Sequence, residues 1–202
     1  LVAHGAHFVA ARHEGASVSM ADGYARVSGE VGVASVHQGP GLTNTLTALT
    51  EAAKSRTPLL LLAADTAASA LRSNFRIEQD ALVRSVGAVA ERLHGPESAV
   101  ADTVRAFRRA QVERRTVVLM MPLDIHAAEC APPHFPVGDP PFIRPARPAE
   151  DAIAEAADVL AGAQRPVIIA GRGAVVAGAG PALERLGDVV GAVMATTTSP
   201  RR

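Results

Sequence analysis

The residue with the clearest chemical potential is Glu14, which lies in the sequence Arg12-His13-Glu14-Gly15-Ala16. The pattern that follows predicts a helix, so Glu14 falls in its opening turn. A carboxylate there interacts favourably with the positive end of the helix dipole. A carboxyl group can also take up and release a proton as a general acid–base group. The residue type alone leaves both roles open.

A glycine-rich turn, Gly39-Pro40-Gly41, follows the apolar run of residues 31–36. Glycine permits unusual φ values and proline fixes one, so the segment predicts a tight turn from a strand into a helix. Asn44 follows three residues later, and a role as a cap of that helix would be enough to explain it. No Gly-Lys-Ser/Thr sequence follows the turn, which excludes a P-loop.

The order of these segments resembles the pyrimidine-binding domain of thiamine-diphosphate enzymes of the acetolactate synthase type. The resemblance rests on residues 13–16, on Ser19-Met-Ala-Asp-Gly-Tyr-Ala-Arg26 and on the pattern Gly-Pro-Gly-x-x-Asn. It implies that Glu14 hydrogen-bonds N1′ of the aminopyrimidine and favours its imino tautomer, which then activates C2 of the thiazolium. It also implies a turn that contacts the cofactor, formed by Gly39, Pro40, Gly41 and Asn44.

The same resemblance implies four candidates on the substrate side of the site. His37 and Gln38 precede the turn, and Phe75 and Gln79 lie in a more loosely matching segment after the next strand. Acetolactate synthases usually carry small hydroxyl residues in place of His37 and Gln38, so the exact substrate stays open. A lone histidine at a strand end is often structural, which leaves a site role for His37 open as well.

Short apolar runs alternate with helical patterns along the chain. Residues 31–36, 58–64 and 116–121 predict buried strands. This alternation predicts an α/β fold with a parallel sheet flanked by helices on both faces. The predicted helix faces consist of apolar or neutral residues three or four positions apart: Leu42, Leu46, Leu49 and Ala53, and then Val100, Val104, Phe107 and Gln111.

The composition changes where seven prolines fall between residues 132 and 148. Repeated proline prevents a helix, so residues 128–148 are predicted to be an extended linker. Residues 1–127 are the predicted pyrimidine-binding domain, without the family's first strand and helix, and residues 149–202 a truncated Rossmann-like central domain. Gly171-Arg172-Gly173 lacks the full dinucleotide motif, so FAD, which some family members bind there, has no support in this sequence.

The composition also limits which binding partners are expected. The formal net charge is +0, aromatic residues make up 3% and Trp is absent, so neither nucleic acid nor a membrane is predicted as a partner. The single cysteine, Cys130, cannot form an internal disulfide and favours a cytoplasmic protein. No metal site is predicted, because His4, His7 and His13 have no acidic or cysteine ligand to complete a set.

The leading prediction is a fragment of a thiamine-diphosphate-dependent lyase or synthase that acts on small 2-oxo acids. The resemblance implies Mg²⁺ held in a third domain, and an active site completed by a second subunit or diphosphate-binding domain across a dimer interface. The chain alone is then expected to be inactive. The alternatives are a non-catalytic α/β subunit that donates Glu14 to a separate diphosphate-binding chain, and a degenerate binding module.

Overall fold

The computed structural model describes residues 3, 5–130 and 146–197. The chain divides into two compact units, Leu1–Phe142 and Ile143–Arg202. Most of the predicted linker, residues 131–145, lies outside the described residues. The domain limits expected at residues 127 and 149 therefore stay predictions.

The first unit is built on a four-stranded sheet in the order β1-β2-β4-β3, in which every neighbouring pair is parallel. The predicted parallel sheet is therefore confirmed. The strands are β1 (Gly32–Val36), β2 (Leu59–Asp65), β3 (Val89–Arg92) and β4 (Thr116–Pro122). The helices of this unit are α1 (Glu14–Ser28), α2 (Pro40–Thr43), α3 (Leu46–Lys54), α4 (Gln79–Ser85), α5 (Ala99–Val112) and α6 (Leu123–His126).

The core lies on both faces of the two central strands. Leu59 and Leu61 of β2 pack with α1, α3 and α4, whereas Leu60 packs with α5 on the opposite face. Strands that are covered on both faces need apolar residues at every position, which explains the uninterrupted apolar runs of β2 and β4. The expectation of helices on both faces is thus met in the first unit.

The edge strand β1 differs from the prediction of a buried strand. Its residues alternate, with Ala34 and Val36 buried while Val33 is 54% exposed. The reason is its position, since β1 pairs only with β2 among the described strands. Tertiary context decides such exposure, because an edge strand and a central strand can have the same local sequence.

The predicted face of α5 is only partly correct, since Phe107 packs against the core. Its large side chains Val100, Val104 and Phe107 are only half-buried, and Gln111 is exposed. The fully buried positions are small or polar, and small side chains let the helix approach the sheet closely. They are Ala99, Asp102, Ala106 and Ala110.

The sequence analysis missed β3 and α4. β3 has the sequence Val-Ala-Glu-Arg, whose two charged residues hide the strand signal. These charges are paired across the fold: Glu91 accepts hydrogen bonds from Arg105 and Arg109 of α5, and Arg92 bridges to Asp65 at the end of β2. Long-range ion pairs thus hold this strand, and a local pattern cannot reveal them.

The second unit contains two parallel strands, β5 (Val167–Ala170) and β6 (Val193–Thr196), in register from Val167 opposite Val193. Gly171-Arg172-Gly173 opens the short helix α8 directly after β5. The α/β character predicted for this part is confirmed. Its helices are α7 (Glu150–Ala161), α8 (Arg172–Val176) and α9 (Gly180–Val190). Within the described parts of both units, no helix is long and apolar enough to cross a membrane.

Asp102 lies in the first turn of α5. Its carboxylate holds the loop between β3 and α5 in place through hydrogen bonds. Its Oδ2 accepts hydrogen bonds from the His94 backbone N–H and the Ser98 hydroxyl, both at 2.9 Å, and its Oδ1 accepts one from Arg105. Burial favours the neutral acid, but these donors outweigh burial and lower the pKa of Asp102 from 3.8 to about 2. The carboxylate therefore stabilises the fold only while it is ionised.

We expect Asp102→Asn to lower the free energy of unfolding at neutral pH by about 2 kcal/mol, which is what a pKa shift of this size is worth. The folded-state pKa lies below the unfolded value, so this stabilisation is complete above about pH 4 and is lost as pH falls through about 2. Urea unfolding at several pH values measures it. The exposed neighbour Glu97, changed to Gln, is the control. A difference that does not depend on pH would contradict the argument.

Candidate active site

The predicted site residues gather at one edge of the sheet. β1 and β2 are parallel neighbours that end at Val36 and Asp65. The carboxyl ends of parallel strands face the same side, where ligands of open α/β sheets bind. His37, Gln38 and the turn follow β1, and the segment with Phe75 and Gln79 follows β2. The fold thus brings together two segments that are far apart in the sequence.

The turn at Gly39-Pro40-Gly41 needs both of its glycines. Gly39 has a φ of 59°, and a Cβ there would lie 2.6 Å from the backbone oxygen of Phe75. Gly41 lies within α2, and a Cβ there would lie 2.9 Å from the Cβ of His37 and 3.9 Å from Oε1 of Glu14. The first glycine is required by backbone conformation and the second by the side chains that approach it.

The side chain of Gln79 holds this turn in place through two hydrogen bonds. Its Oε1 accepts a hydrogen bond from the Gly39 N–H at 2.8 Å, and its Nε2 donates one to the Ala64 carbonyl at 3.1 Å. The side chain is buried, with 2% exposed. In this structure the carboxamide is engaged with backbone of both strand ends. Its predicted contact with substrate stays a prediction.

Glu14 begins α1 and points toward the same turn. His13 caps the helix through Nδ1, which accepts a hydrogen bond from the Gly15 N–H at 3.0 Å. Oε2 of Glu14 accepts a hydrogen bond from Asn44 Nδ2 at 3.1 Å, whereas Oε1 is the oxygen nearest Gly41. A hydrogen bond from its own backbone N–H, followed by the one from Asn44, lowers the pKa of Glu14 below its ordinary value. The side chain is therefore a carboxylate at neutral pH.

Asn44 reaches Glu14 because the helix predicted over residues 42–53 is broken. The structure has α2 and α3 instead, with Asn44 and Thr45 between them. The Thr43 and Thr45 hydroxyls donate to backbone oxygens three residues earlier, those of Pro40 and Leu42. Such bonds compete with the helical ladder and favour a break.

His37, Gln38 and Phe75 lie beside the turn. Nδ1 of His37 is 3.0 Å from the Gln38 backbone oxygen, and its ring packs edgewise on Phe75 with centroids 5.2 Å apart. His37 and Phe75 are exposed. Gln38 is buried, and its Oε1 accepts a hydrogen bond from Thr66. His37 and Phe75 can thus meet a ligand from solvent, while the Gln38 side chain is directed inward.

A polar groove that the sequence analysis did not foresee runs between α1 and α3, with a volume of about 430 Å³. No local pattern signalled it, because its lining comes from two helices that meet only in the fold. Across the described residues, no group of three or more His, Cys, Asp or Glu side chains could hold a metal ion; His4 lies outside them. The groove is lined by His13, Gly15, Ser19, Asp22, Asn44, Thr47, Ala48 and Glu51.

Comparison with known proteins identifies the family of this site. Residues 1–85, which include Glu14, the turn and Gln79, match the family model for the N-terminal TPP-binding domain of thiamine pyrophosphate enzymes. Residues 1–85 therefore belong to this family of thiamine pyrophosphate enzyme domains. Two relatives in that family are the probable 2-ketoarginine decarboxylase of Pseudomonas aeruginosa and the probable acetolactate synthase large subunit of Methanocaldococcus jannaschii.

These relatives align along nearly the whole chain. The Pseudomonas protein is 35% identical over 96% of this chain and 35% of its own length. The Methanocaldococcus protein is 32% identical over 92% of this chain and 33% of its own length. The chain therefore spans about a third of each relative, and both relatives carry the names of enzymes.

A solved structure shows the same fold. It is that of a Mycobacterium smegmatis protein assigned to the thiamin diphosphate-dependent enzymes, with a TM-score of 0.74. The match covers 95% of this chain and 37% of that one, at 21% identity. The predicted α/β class, with a parallel sheet flanked by helices, is confirmed by this likeness.

We expect Gly41→Ala to weaken binding of thiamine diphosphate at least about tenfold, since overpacking costs roughly 1–3 kcal/mol. The added methyl would collide with His37 and narrow the space beside Glu14. Stability should also fall by about 1–3 kcal/mol, because the collision with His37 is present in the folded protein before any cofactor binds. Isothermal titration and a thermal melt of the full-length protein separate the two effects.

The matched control for this substitution is Gly23→Ala in α1, where a Cβ would meet nothing within 4 Å. It should leave cofactor affinity unchanged. Equal affinity of the Gly41 variant and wild type would show that Gly41 does not face the cofactor.

Proposed function

We propose that this chain is the part of a thiamine-diphosphate-dependent lyase or synthase that supplies the activating carboxylate for reactions of 2-oxo acids. The observation that carries the proposal is the placement of Glu14, whose Oε1 faces Gly41 while Asn44 holds Oε2. This places a proton-exchanging group beside the glycine turn, at the exposed edge of the sheet.

The residues present suit an aminopyrimidine. Asn44 contacts Oε2 of Glu14, which leaves Oε1 to meet a ring nitrogen. When bound, thiamine diphosphate supplies an electron sink for making and breaking bonds at the carbonyl carbon of 2-oxo acids. Glu14 contributes by moving a proton between its carboxyl oxygen and N1′ of the pyrimidine. Asn44 keeps the carboxylate in one orientation during this exchange.

The proposal extends to the other components of the site. Mg²⁺ and the diphosphate would be held outside this chain, by a second subunit or diphosphate-binding domain across a dimer interface. Two observations support this: His37, Pro40 and Phe75 are exposed at the sheet edge, and the relatives are about three times as long as this chain. FAD binding by the second unit stays a prediction that no contact supports. The single exposed cysteine supports a cytoplasmic enzyme.

The substrate is proposed to be a small 2-oxo acid. The names of the two relatives point to different members of this class, a 2-oxo derivative of arginine and the precursor of acetolactate. Turnover of pyruvate, 2-oxobutyrate and 2-ketoarginine by the full-length protein with thiamine diphosphate and Mg²⁺ tests the class. Turnover of none of the three would overturn the choice of 2-oxo acid, while cofactor activation is tested separately below.

We expect Glu14→Gln to slow deprotonation at C2 of bound thiamine diphosphate by ~10²–10⁴-fold, the usual contribution of general acid–base catalysis. Glutamine keeps a similar shape and hydrogen bonds but cannot exchange a proton. Hydrogen–deuterium exchange at C2, followed by NMR in the full-length protein, measures the effect.

A thermal melt and the variant Glu113→Gln, which removes an acid at the far end of α5, serve as controls. Both variants should melt close to wild type. Exchange near the wild-type rate in the Glu14 variant, with a lowered melting temperature, would instead make Glu14 a helix-stabilising residue.

We expect Asn44→Ala and Asn44→Asp to move the acidic limb of the C2 exchange rate to higher pH. The Asn44 amide is one of the groups that lower the pKa of Glu14, so its loss raises that pKa, and an aspartate raises it further by charge repulsion. At a given acidic pH less Glu14 is then ionised and able to accept the hydrogen bond of a protonated N1′. A pH–rate profile measures the shift, with Thr47→Ala in the same groove as control. An unchanged profile in both Asn44 variants would contradict this role.

A further inference from the structure

The segment of residues 66–78, here called the strap, connects β2 to α4 without a helix or strand of its own. Between residues 67 and 74 its hydrogen bonds are local, such as those from the Ala70 N–H to the Ala67 oxygen and from the Ser73 N–H to the Ala70 oxygen. In this stretch, none of them joins the strap to the rest of the described chain. Segments with so few fixing contacts are the parts of a fold that open most easily.

The strap contacts the candidate site at both of its ends. Near its end, the backbone oxygen of Phe75 lies so close to Gly39 that a Cβ there would come within 2.6 Å of it. The Phe75 ring packs edgewise on the His37 ring, with centroids 5.2 Å apart. At its start, the Thr66 hydroxyl donates a hydrogen bond to Oε1 of Gln38 at 3.2 Å. The strap therefore lies beside the glycine turn.

One arginine holds both ends of the strap. Nη1 of Arg92 pairs with Oδ2 of Asp65, the last residue before the strap, at 2.5 Å. Nη2 of Arg92 pairs with Oδ1 of Asp80, two residues beyond the strap, at 3.2 Å. Nη2 also lies 3.8 Å from the sulfur of Met120, so the guanidinium reaches from β3 across β4. The N–H groups of a guanidinium form a rigid fork, which lets one cation bind two carboxylates.

The strap carries apolar side chains that are still in contact with water. Leu71 is 70% exposed, and Phe75 and Ile77 are each 37% exposed. Because burial of apolar surface is favourable, a ligand bound on the glycine turn would favour movement of the strap over it. Such closure would also remove water from around Glu14, and electrostatic interactions are stronger in a site without water.

We propose that the strap is a lid of this site and that Arg92 is a positioning residue, which sets the closed position of the lid by holding both of its ends. Arg92 acts through Asp65 and Asp80 and not by contact with the ligand. This inference rests on the proposed function, because the lid closes over the bound cofactor and its 2-oxo acid.

Amide hydrogen exchange in the full-length protein tests the lid, with mass spectrometry of peptides that cover residues 67–74. Thiamine diphosphate, Mg²⁺ and a phosphonate analogue of pyruvate are added at about ten times their Kd. We expect them to slow exchange in the strap about tenfold, because opening must then release the analogue. Residues 113–115, which precede β4 at the opposite edge of the sheet, are the internal control and should exchange as before.

Asp80→Asn tests the clamp, because it removes one of the two charges that Arg92 holds. In the ligand-bound protein we expect exchange in the strap and dissociation of the phosphonate analogue both to become about two- to fivefold faster, the range for a partly exposed ion pair. The matched control is Arg84→Gln. It removes an exposed partner on the other oxygen of Asp80, at 3.0 Å, and leaves the contact with Arg92 in place. This control should behave as wild type.

A second variant, Arg92→Lys, keeps the charge but replaces the fork with a single ammonium group, which should not hold both ends. It should reproduce the effects of Asp80→Asn, and it keeps the test decisive if the Asp80 variant does not fold. A lower melting temperature with wild-type strap exchange and wild-type dissociation of the analogue, in either variant, would make the clamp purely structural and overturn its role.

The failure of the lid and the failure of the proposed function give different results. If titration shows that the full-length protein does not bind thiamine diphosphate, the proposed function fails and the lid fails with it. Cofactor binding and turnover of a 2-oxo acid, together with strap exchange that the ligands leave unchanged, would overturn the lid alone.

Discussion

The two hydrogen bonds of Gln79 are the interaction on which the rest of the site depends. They join the Gly39 N–H, after β1, to the Ala64 carbonyl near the end of β2. The Gly39 N–H would otherwise be buried without this partner, and an unsatisfied buried polar group costs about 1–3 kcal/mol. The turn can therefore keep its left-handed glycine and its close contact with Phe75. The positions of Gly41 and His37 follow from that turn.

The parallel sheet explains why these particular segments meet. β1 and β2 run side by side, so the residues that follow each strand emerge at one edge. Glu14 reaches this edge by a different route, from the start of α1, whose buried Val18 and Ala21 pack with the sheet. Three stretches of chain thus converge on one glycine. Each is fixed by core packing or a buried hydrogen bond, which keeps the site ordered at an exposed edge.

The protonation state of Glu14 fits the role proposed for it. Its own backbone N–H and Asn44 stabilise the ionised form, so the carboxylate is ready to accept a hydrogen bond from a protonated N1′. Asn44 lies at the break between α2 and α3, where two threonine hydroxyls donate to backbone oxygens. This break places the amide that holds the carboxylate and adds to the lowering of its pKa. The chemistry of Glu14 thus depends in part on the backbone conformation between α2 and α3.

Much of the fold and part of the site followed from the sequence by itself. The apolar runs of β2 and β4 and the order of segments around Glu14 determined the α/β class and the candidate residues, because these signals are local and periodic. The edge exposure of β1, the strand β3 and the alanine face of α5 were decided only by tertiary packing. The same holds for Gln79, whose partners lie 15 and 40 residues away in the chain. Side chains that act across such separations leave no periodic trace, so only the folded structure shows that Gln79 binds the turn and that Glu14 and His37 share Gly41.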